Sequence, residues 1–153
     1  MKDDADAPEE LRARALRLLA HREHSRAELE RKLGPHAGSS EIVTGILEAL
    51  VQNKQLSDER YAEQRVHQLA RKFGAGRIAR ELRAKGVDDE TIASSVSEAR
   101  ASELERARAI WLRKFRSPAT SPKENAKQTR FLQSRGFSSD VIYTLLKDKS
   151  GDI

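Results

Sequence analysis

"LRAKGVDDETIASSV" (residues 82–96) and "LQSRGFSSDVIYTLL" (residues 132–146) carry nearly the same phrase at one fixed offset. Leu82 matches Leu132, Gly86 matches Gly136 and Ile92 matches Ile142, each fifty positions apart. In both copies a helical pattern ends in a basic residue, Lys85 or Arg135, followed by glycine. Glycine there suits the left-handed residue just past a helix end, where a Cβ is penalised and the last carbonyls find donors. An apolar residue follows (Val87, Phe137), then a capping side chain (Asp88, Ser138). With those caps, Val87 and Phe137 precede the new helix and Ile92 and Ile142 lie one turn into it, a hydrophobic staple across the corner. The phrase encodes helix, tight turn, helix.

A blurred third copy is "LGPHAGSSEIVTGIL", with Leu33 and Ile42 in the matching places and Pro35 and Gly38 replacing the neat glycine corner. A further helical pattern precedes each corner: Leu11, Ala15, Leu18 and Leu19; Tyr61, Val66 and Leu69 more loosely; Leu104, Ala107, Trp111 and Phe115. "SRAE" (25–28) and "SPKE" (121–124) read as capping boxes, the second with Pro122 in the first helical position; "SDER" (57–60) and "GAG" (74–76) also mark helix starts. About nine helices result, in three groups of three with a period near fifty. Such units cannot bury their apolar faces alone and must stack on neighbours. The expected fold is all-α, an elongated, curved array of three tandem three-helix repeats over residues 11–55, 56–101 and 102–149. The acidic start, residues 1–10, reads as disordered. "EARASELERARAIWL" makes the second boundary softer, because it could run as one helix.

Composition agrees with helix: charged residues make up 35% and aromatics 5% of the 153 residues. There is no cysteine, so disulfides and thiolate metal sites are excluded. No stretch approaches the roughly 18 consecutive apolar residues of a membrane span. A soluble cytoplasmic monomer with no membrane partner is expected. His21 and His24 sit one turn apart without a third ligand and read as polar surface residues rather than a metal site. Asp88, Asp89 and Glu90 are explained by their place in a first helical turn. No nucleotide-binding loop or nucleophile elbow occurs. The expectation is a protein without catalysis and without a cofactor.

Charge is the stronger lead. The net +5 is segregated: residues 65–85 hold seven Lys/Arg and one Glu, and residues 113–135 hold the same balance. The candidate basic face comprises Arg65, Arg71, Lys72, Arg77, Arg80, Arg83 and Lys85 in the first segment. Arg113, Lys114, Lys127 and Arg130 form it in the second, with Arg116 and Lys123 beside them. A polyanion or an acidic protein surface is the matching partner. The second helices of the corners begin "DDET" and "SSDV", and acid at that position repels phosphate. Sequence-specific major-groove reading is thereby disfavoured against backbone contact or protein docking. Trp111, Phe115 and Phe131 fit a helical core better than a base-stacking platform.

The central stretch "LSDERYAEQRVHQLARKFGAGRIARELRAKGVDDETI" (56–92) resembles the RecX family of RecA regulators in its Asp-x-Arg-Tyr-Ala, Gly-x-Gly, Arg-Ile, Glu-Leu and Lys-Gly elements. "ALRLLAHREHSRAELERKL" (15–33) is similar to that family's opening module and "RFLQSRGFSSDVI" (130–142) to its closing one. The Gly34–Gly38 corner and the linker "RSPATSPKEN" depart from the pattern. The resemblance implies three tandem three-helix repeats and a non-enzymatic role. It also implies binding to the RecA–single-stranded DNA filament, with restraint of strand exchange, ATP hydrolysis and co-protease activity in DNA repair and the SOS response. The competing reading is a stand-alone helical-repeat protein that binds DNA without sequence preference.

Overall fold

The computed structural model describes residues 5–149. Among them the chain forms nine α-helices and no strand: α1 (Pro8–His21), α2 (Arg26–Leu33), α3 (Ser40–Gln52), α4 (Asp58–Leu69), α5 (Ala75–Ala84), α6 (Asp89–Ala101), α7 (Glu103–Phe115), α8 (Pro122–Ser134) and α9 (Ser139–Lys149). The fold is an all-α helical repeat. No helix among the described residues is long and apolar enough to cross a membrane. Two compact units are present. One takes the residues up to Gln64 together with Leu82–Thr91, the other Arg65–Glu81 together with the chain from Ile92 onward.

In the first unit Leu11 and Ala15 of α1, Leu29 and Leu33 of α2, and Val43, Leu47 and Leu50 of α3 bury one shared core. In the second unit Ala107, Ile110 and Trp111 of α7, Leu132 of α8, and Ile142 and Leu145 of α9 do the same. Each set recurs at three- and four-residue spacing, the period of a helix face.

Both glycine corners close as the residues dictate. Gly86 and Gly136 take φ of 83° and 89°. At the first, the Gly86 N–H donates to the Arg83 carbonyl and the Val87 N–H to the Leu82 carbonyl. At the second, Gly136 donates to Gln133 and Phe137 to Leu132. This is the Schellman pattern, which satisfies two of the four carbonyls a helix end leaves open. Asp88 Oδ1 accepts from the Thr91 N–H at 2.8 Å, and Ser138 Oγ accepts from the Val141 N–H at 3.2 Å, so both expected N-caps are formed. The staple residues Val87, Ile92, Phe137 and Ile142 are all buried.

The carbonyl left over at each corner has a use. Lys85 O accepts from Ser25 Oγ at 2.7 Å, and Arg135 O accepts from the Gly74 N–H, also at 2.7 Å. Ser25 is the N-cap of α2, and Gly74 holds the same place before α5. The next N–H of each middle helix is also bound from the following repeat. Arg26 N–H donates to Asp58 Oδ1 at 2.8 Å, and Ala75 N–H donates to Glu103 Oε1 at 3.2 Å. Each corner thus rests on the start of the preceding middle helix, satisfying orphan groups on both sides. The approach is close. A Cβ on Gly86 would lie 2.5 Å from the Ala27 Cβ, and one on Gly136 would lie 2.3 Å from the Arg77 Cβ.

The first corner has no counterpart to this. Gly34 is right-handed (φ −49°) and opens a 3-10 turn, Gly34–His36, before Ser39 caps α3. The start of α8 also differs. Ser121 caps it and Pro122 fills the first helical position, so there is no N–H for a following repeat to bind. Glu124 turns back to accept from the Thr120 N–H and hydroxyl, at 2.8 and 3.0 Å. The reciprocal box expected at "SPKE" is therefore one-sided, whereas the box at Ser25 and Glu28 is complete. The helix is interrupted between α6 and α7 at Ser102.

Residues 1–4 of the expected disordered start lie outside the described residues. Pro8, Glu9 and Glu10 instead form the first turn of α1, where a proline and two carboxylates suit the helix start. Asp6 ties that turn down: its N–H donates to His36 O at 2.8 Å and its carboxylate accepts from Arg14 at 3.0 Å.

Two glycine-to-alanine substitutions separate these roles. Gly136→Ala should lower unfolding stability by at least about 2 kcal/mol, because it combines a left-handed backbone with a steric collision. Gly45→Ala, on the exposed face of α3 with nothing within 4 Å, should raise it by about 0.5–1 kcal/mol. Urea titration of both variants checks the pair.

Candidate polyanion-binding face

Of the candidate cations, Arg83 and Lys85 fall in the first unit and the rest in the second. Arg83 pairs with Asp89 at 3.3 Å, both side chains being well exposed. Lys85 Nζ lies 3.9 Å from Glu28, and Arg65 is bound to Glu81. These three are less available than their segment suggests, and for Arg83 and Lys85 the partner carboxylates come from outside that segment. Arg71, Lys72, Arg80, Arg113, Lys127 and Arg130 are exposed and make no ion pair within 4.0 Å among the described residues. The bonds from Thr120, with a smaller contribution from Lys127, hold the Glu124 carboxyl below its ordinary range.

Within the second unit the two basic segments meet. The Arg77 guanidinium lies 3.9 Å above the ring centre of Phe73, and the Arg135 guanidinium lies 5.6 Å from the same ring and 5.0 Å from Phe131. Lys114 Nζ stands 5.6 Å from Phe131, which packs edge-on against Phe115 with centres 5.4 Å apart. Each guanidinium is tied to the other's segment: Arg77 donates to Ser134 O at 3.0 Å, and Arg135 to Lys72 O at 3.4 Å. The result is an alternating row, Arg77–Phe73–Arg135–Phe131–Lys114, with no carboxylate within 4.0 Å of any of its cations among the described residues. Phe73 was not singled out from sequence, and Arg135 was read only as the basic end of its helix. Phe73 sits in the connection after α4, outside any periodic pattern, and only the fold brings it beneath Arg77.

Arg106 is a second residue the sequence did not flag. Its guanidinium donates to the carbonyls of Ala70 (2.9 Å) and Phe73 (2.7 Å) in the connection after α4, and of Ala99 (2.6 Å) in the last turn of α6. Burial lowers its pKa, partly offset by Glu103. The one available signal was position: Arg106 shares the inward stripe of Ala107 and Ile110.

Below the Gly86 corner lies a buried polar cluster. Burial pushes the Glu28 carboxyl up, but bonds from the Arg22 side chain (3.0 Å) and the Ser25 N–H (3.0 Å) outweigh it and leave the pKa lowered. His24, expected at the surface, is only 2% exposed. Its Nδ1 lies 3.0 Å from Arg22 O and its Nε2 3.2 Å from Lys32 Nζ. Among the described residues no group of carboxylates and histidines could hold a metal.

Three family models match in tandem: the first three-helix domain of RecX over residues 12–44, the second over 57–95 and the third over 101–146. The chain belongs to the RecX family. It is 47% identical over 137 residues to the Regulatory protein RecX of Leptothrix cholodnii, covering 90% of this chain and 87% of that one. Against the Regulatory protein RecX of Ralstonia nicotianae the identity is 42% over 140 residues, covering 92% and 88%. The crystal structure of RecX from Lactobacillus salivarius shares the fold, with TM-score 0.79 over 98% of this chain and 99% of that chain at 21% identity. A regulatory role follows from membership in this family.

The buried His24 gives a pH test. Burial lowers its pKa from the ordinary 6.5, helped by the charges of Arg22 and Lys32 and opposed by the Arg22 carbonyl and Glu28. The unfolded chain therefore takes up a proton that the fold resists. Stability is full above pH 6.5 and declines as pH falls below it, through the lowered folded value. Glu28 adds its own loss only below its ordinary 4.5. His24→Gln, which keeps an acceptor for Lys32, should reduce the decline between those two pH values. Urea midpoints measured across the window test this, and an equal slope in both proteins contradicts it.

Proposed function

We propose that the chain is a non-enzymatic regulator that binds the RecA–single-stranded DNA filament and restrains RecA's recombinase, ATPase and co-protease activities. The repeats 11–55, 56–101 and 102–149 are its modules, and the cytoplasm is its place of action. The reading is supported above all by the cations of the two basic segments that no carboxylate neutralises, in a chain of the RecX family. Such cations keep their full attraction for an external polyanion, whereas an ion pair must first be broken. Several weak contacts made by linked modules add up to tight association without any one strong site. No cofactor enters this scheme, and one chain acts as a monomer.

The purified chain should slow RecA's DNA-dependent ATP hydrolysis at less than one chain per RecA, and should bind RecA-coated strands more tightly than naked ones. Arg80→Glu, Arg113→Glu and Arg130→Glu together should weaken inhibition more than about tenfold while leaving the urea midpoint unchanged, since none makes an ion pair among the described residues. Absence of inhibition across the whole titration contradicts the reading. Equal affinity for bare and coated strands points instead to a stand-alone DNA-binding protein.

A further inference from the structure

The row Arg77–Phe73–Arg135–Phe131–Lys114 is built differently from the exposed cations around it. Arg71, Arg80, Arg113 and Arg130 lie on helix faces or turns and make no side-chain hydrogen bond, ion pair or ring contact among the described residues, so each must be ordered when a partner arrives. Arg77 and Arg135 are ordered already, by the Phe73 and Phe131 rings and by the Ser134 and Lys72 carbonyls. The Phe73 backbone is held in turn by Arg106. A guanidinium stacked this way has lost its rotamer freedom before binding, and the entropic cost of association falls accordingly.

We propose that Arg77, Arg135 and Lys114 bind the phosphodiester backbone of single-stranded nucleic acid, with Phe73 and Phe131 as the positioning residues that hold them. This rests on the filament reading and deepens it, since it assigns the nucleic-acid strand rather than RecA to these particular cations.

Two observations favour a strand over an acidic protein surface. Protein interfaces centre on exposed apolar side chains. The large exposed apolar residues among the described ones are Val51, Leu112 and Tyr143, none a member of the row. The rings inside the row are instead half-buried and faced by cations. Second, three cations drawn from α5, α7 and the residue after α8 line one row, and none is paired with a carboxylate among the described residues. A backbone with one charge per nucleotide matches such a row, and its bases add flat surfaces for the guanidinium planes.

The test uses the full chain and a fluorescent oligothymidylate, without RecA, so that its outcome is separate from inhibition of RecA. Phe73→Leu keeps every charge and should weaken binding about fivefold, with the dependence on salt unchanged. Phe73→Tyr, which keeps the ring, should restore wild-type affinity. Arg77→Ala should weaken binding and also flatten the plot of log affinity against log salt by about 0.7, the share of one released counterion on a single strand. Wild-type affinity in both Phe73→Leu and Arg77→Ala overturns the proposal, and so does a Phe73→Tyr protein as weak as Phe73→Leu. If the variants bind oligothymidylate normally but lose binding to RecA alone, the row faces an acidic protein and the nucleic-acid assignment fails, while the filament reading survives.

Discussion

A carbonyl left open at the end of one helix meets a donor left open at the start of another, and this pairing joins each repeat to the one before it. Lys85 O with Ser25 Oγ, and Arg135 O with the Gly74 N–H, are the same contact made twice with different donors. Both depend on a glycine for two independent reasons. The backbone must turn left-handed to end the helix, and the following repeat must come within reach of Ala27 or Arg77. An alanine would satisfy neither requirement. The carboxylates of Asp58 and Glu103 complete the seat by accepting the next N–H, so helix ends that would otherwise need water are satisfied by neighbouring repeats. The third middle helix needs no such neighbour. Pro122 has no N–H to offer, and Glu124 closes the turn from within.

The same joint sets the chemistry of the surface. Seating the Gly136 corner on α5 brings Arg135 beside Phe73 and lets Arg77 reach Ser134 O. The two basic segments, separated by nearly thirty residues of mildly acidic chain, become one row only because of this packing. Like charges brought together repel, and the structure relieves this with ring faces and backbone carbonyls rather than with carboxylates. The row therefore keeps its charge for an outside partner, unlike Arg65, Arg83 and Lys85, which are drawn to Glu81, Asp89 and Glu28.

The corners were legible in the sequence because their physics is local. A glycine after a basic helix end, a cap two residues later and a staple spanning the turn all lie within ten positions, and each took the predicted geometry. The helix starts at Ser25 and Ser57 were readable for the same reason. What was missed depends on residues far apart in the chain. Arg106 looks like one more charge on a charged helix until the open carbonyls of Ala70, Phe73 and Ala99 surround it. His24 reads as polar surface until the fold buries it beneath Lys32. Phe73, lying between helices, carries no periodicity that could assign it a face. The acidic start at Pro8–Glu10 was misread because charge suggested disorder, whereas proline and glutamate at a helix start favour order.

The proposed filament contact is made by the two basic segments rather than by the acidic remainder of the chain. Amide hydrogen exchange of the chain, alone and bound to RecA on single-stranded DNA, tests this most directly. The account predicts slowed exchange over residues 70–85 and 113–135, with residues 36–53 unchanged. Slowing confined to residues 36–53, with the basic segments exchanging as in the free chain, would contradict it.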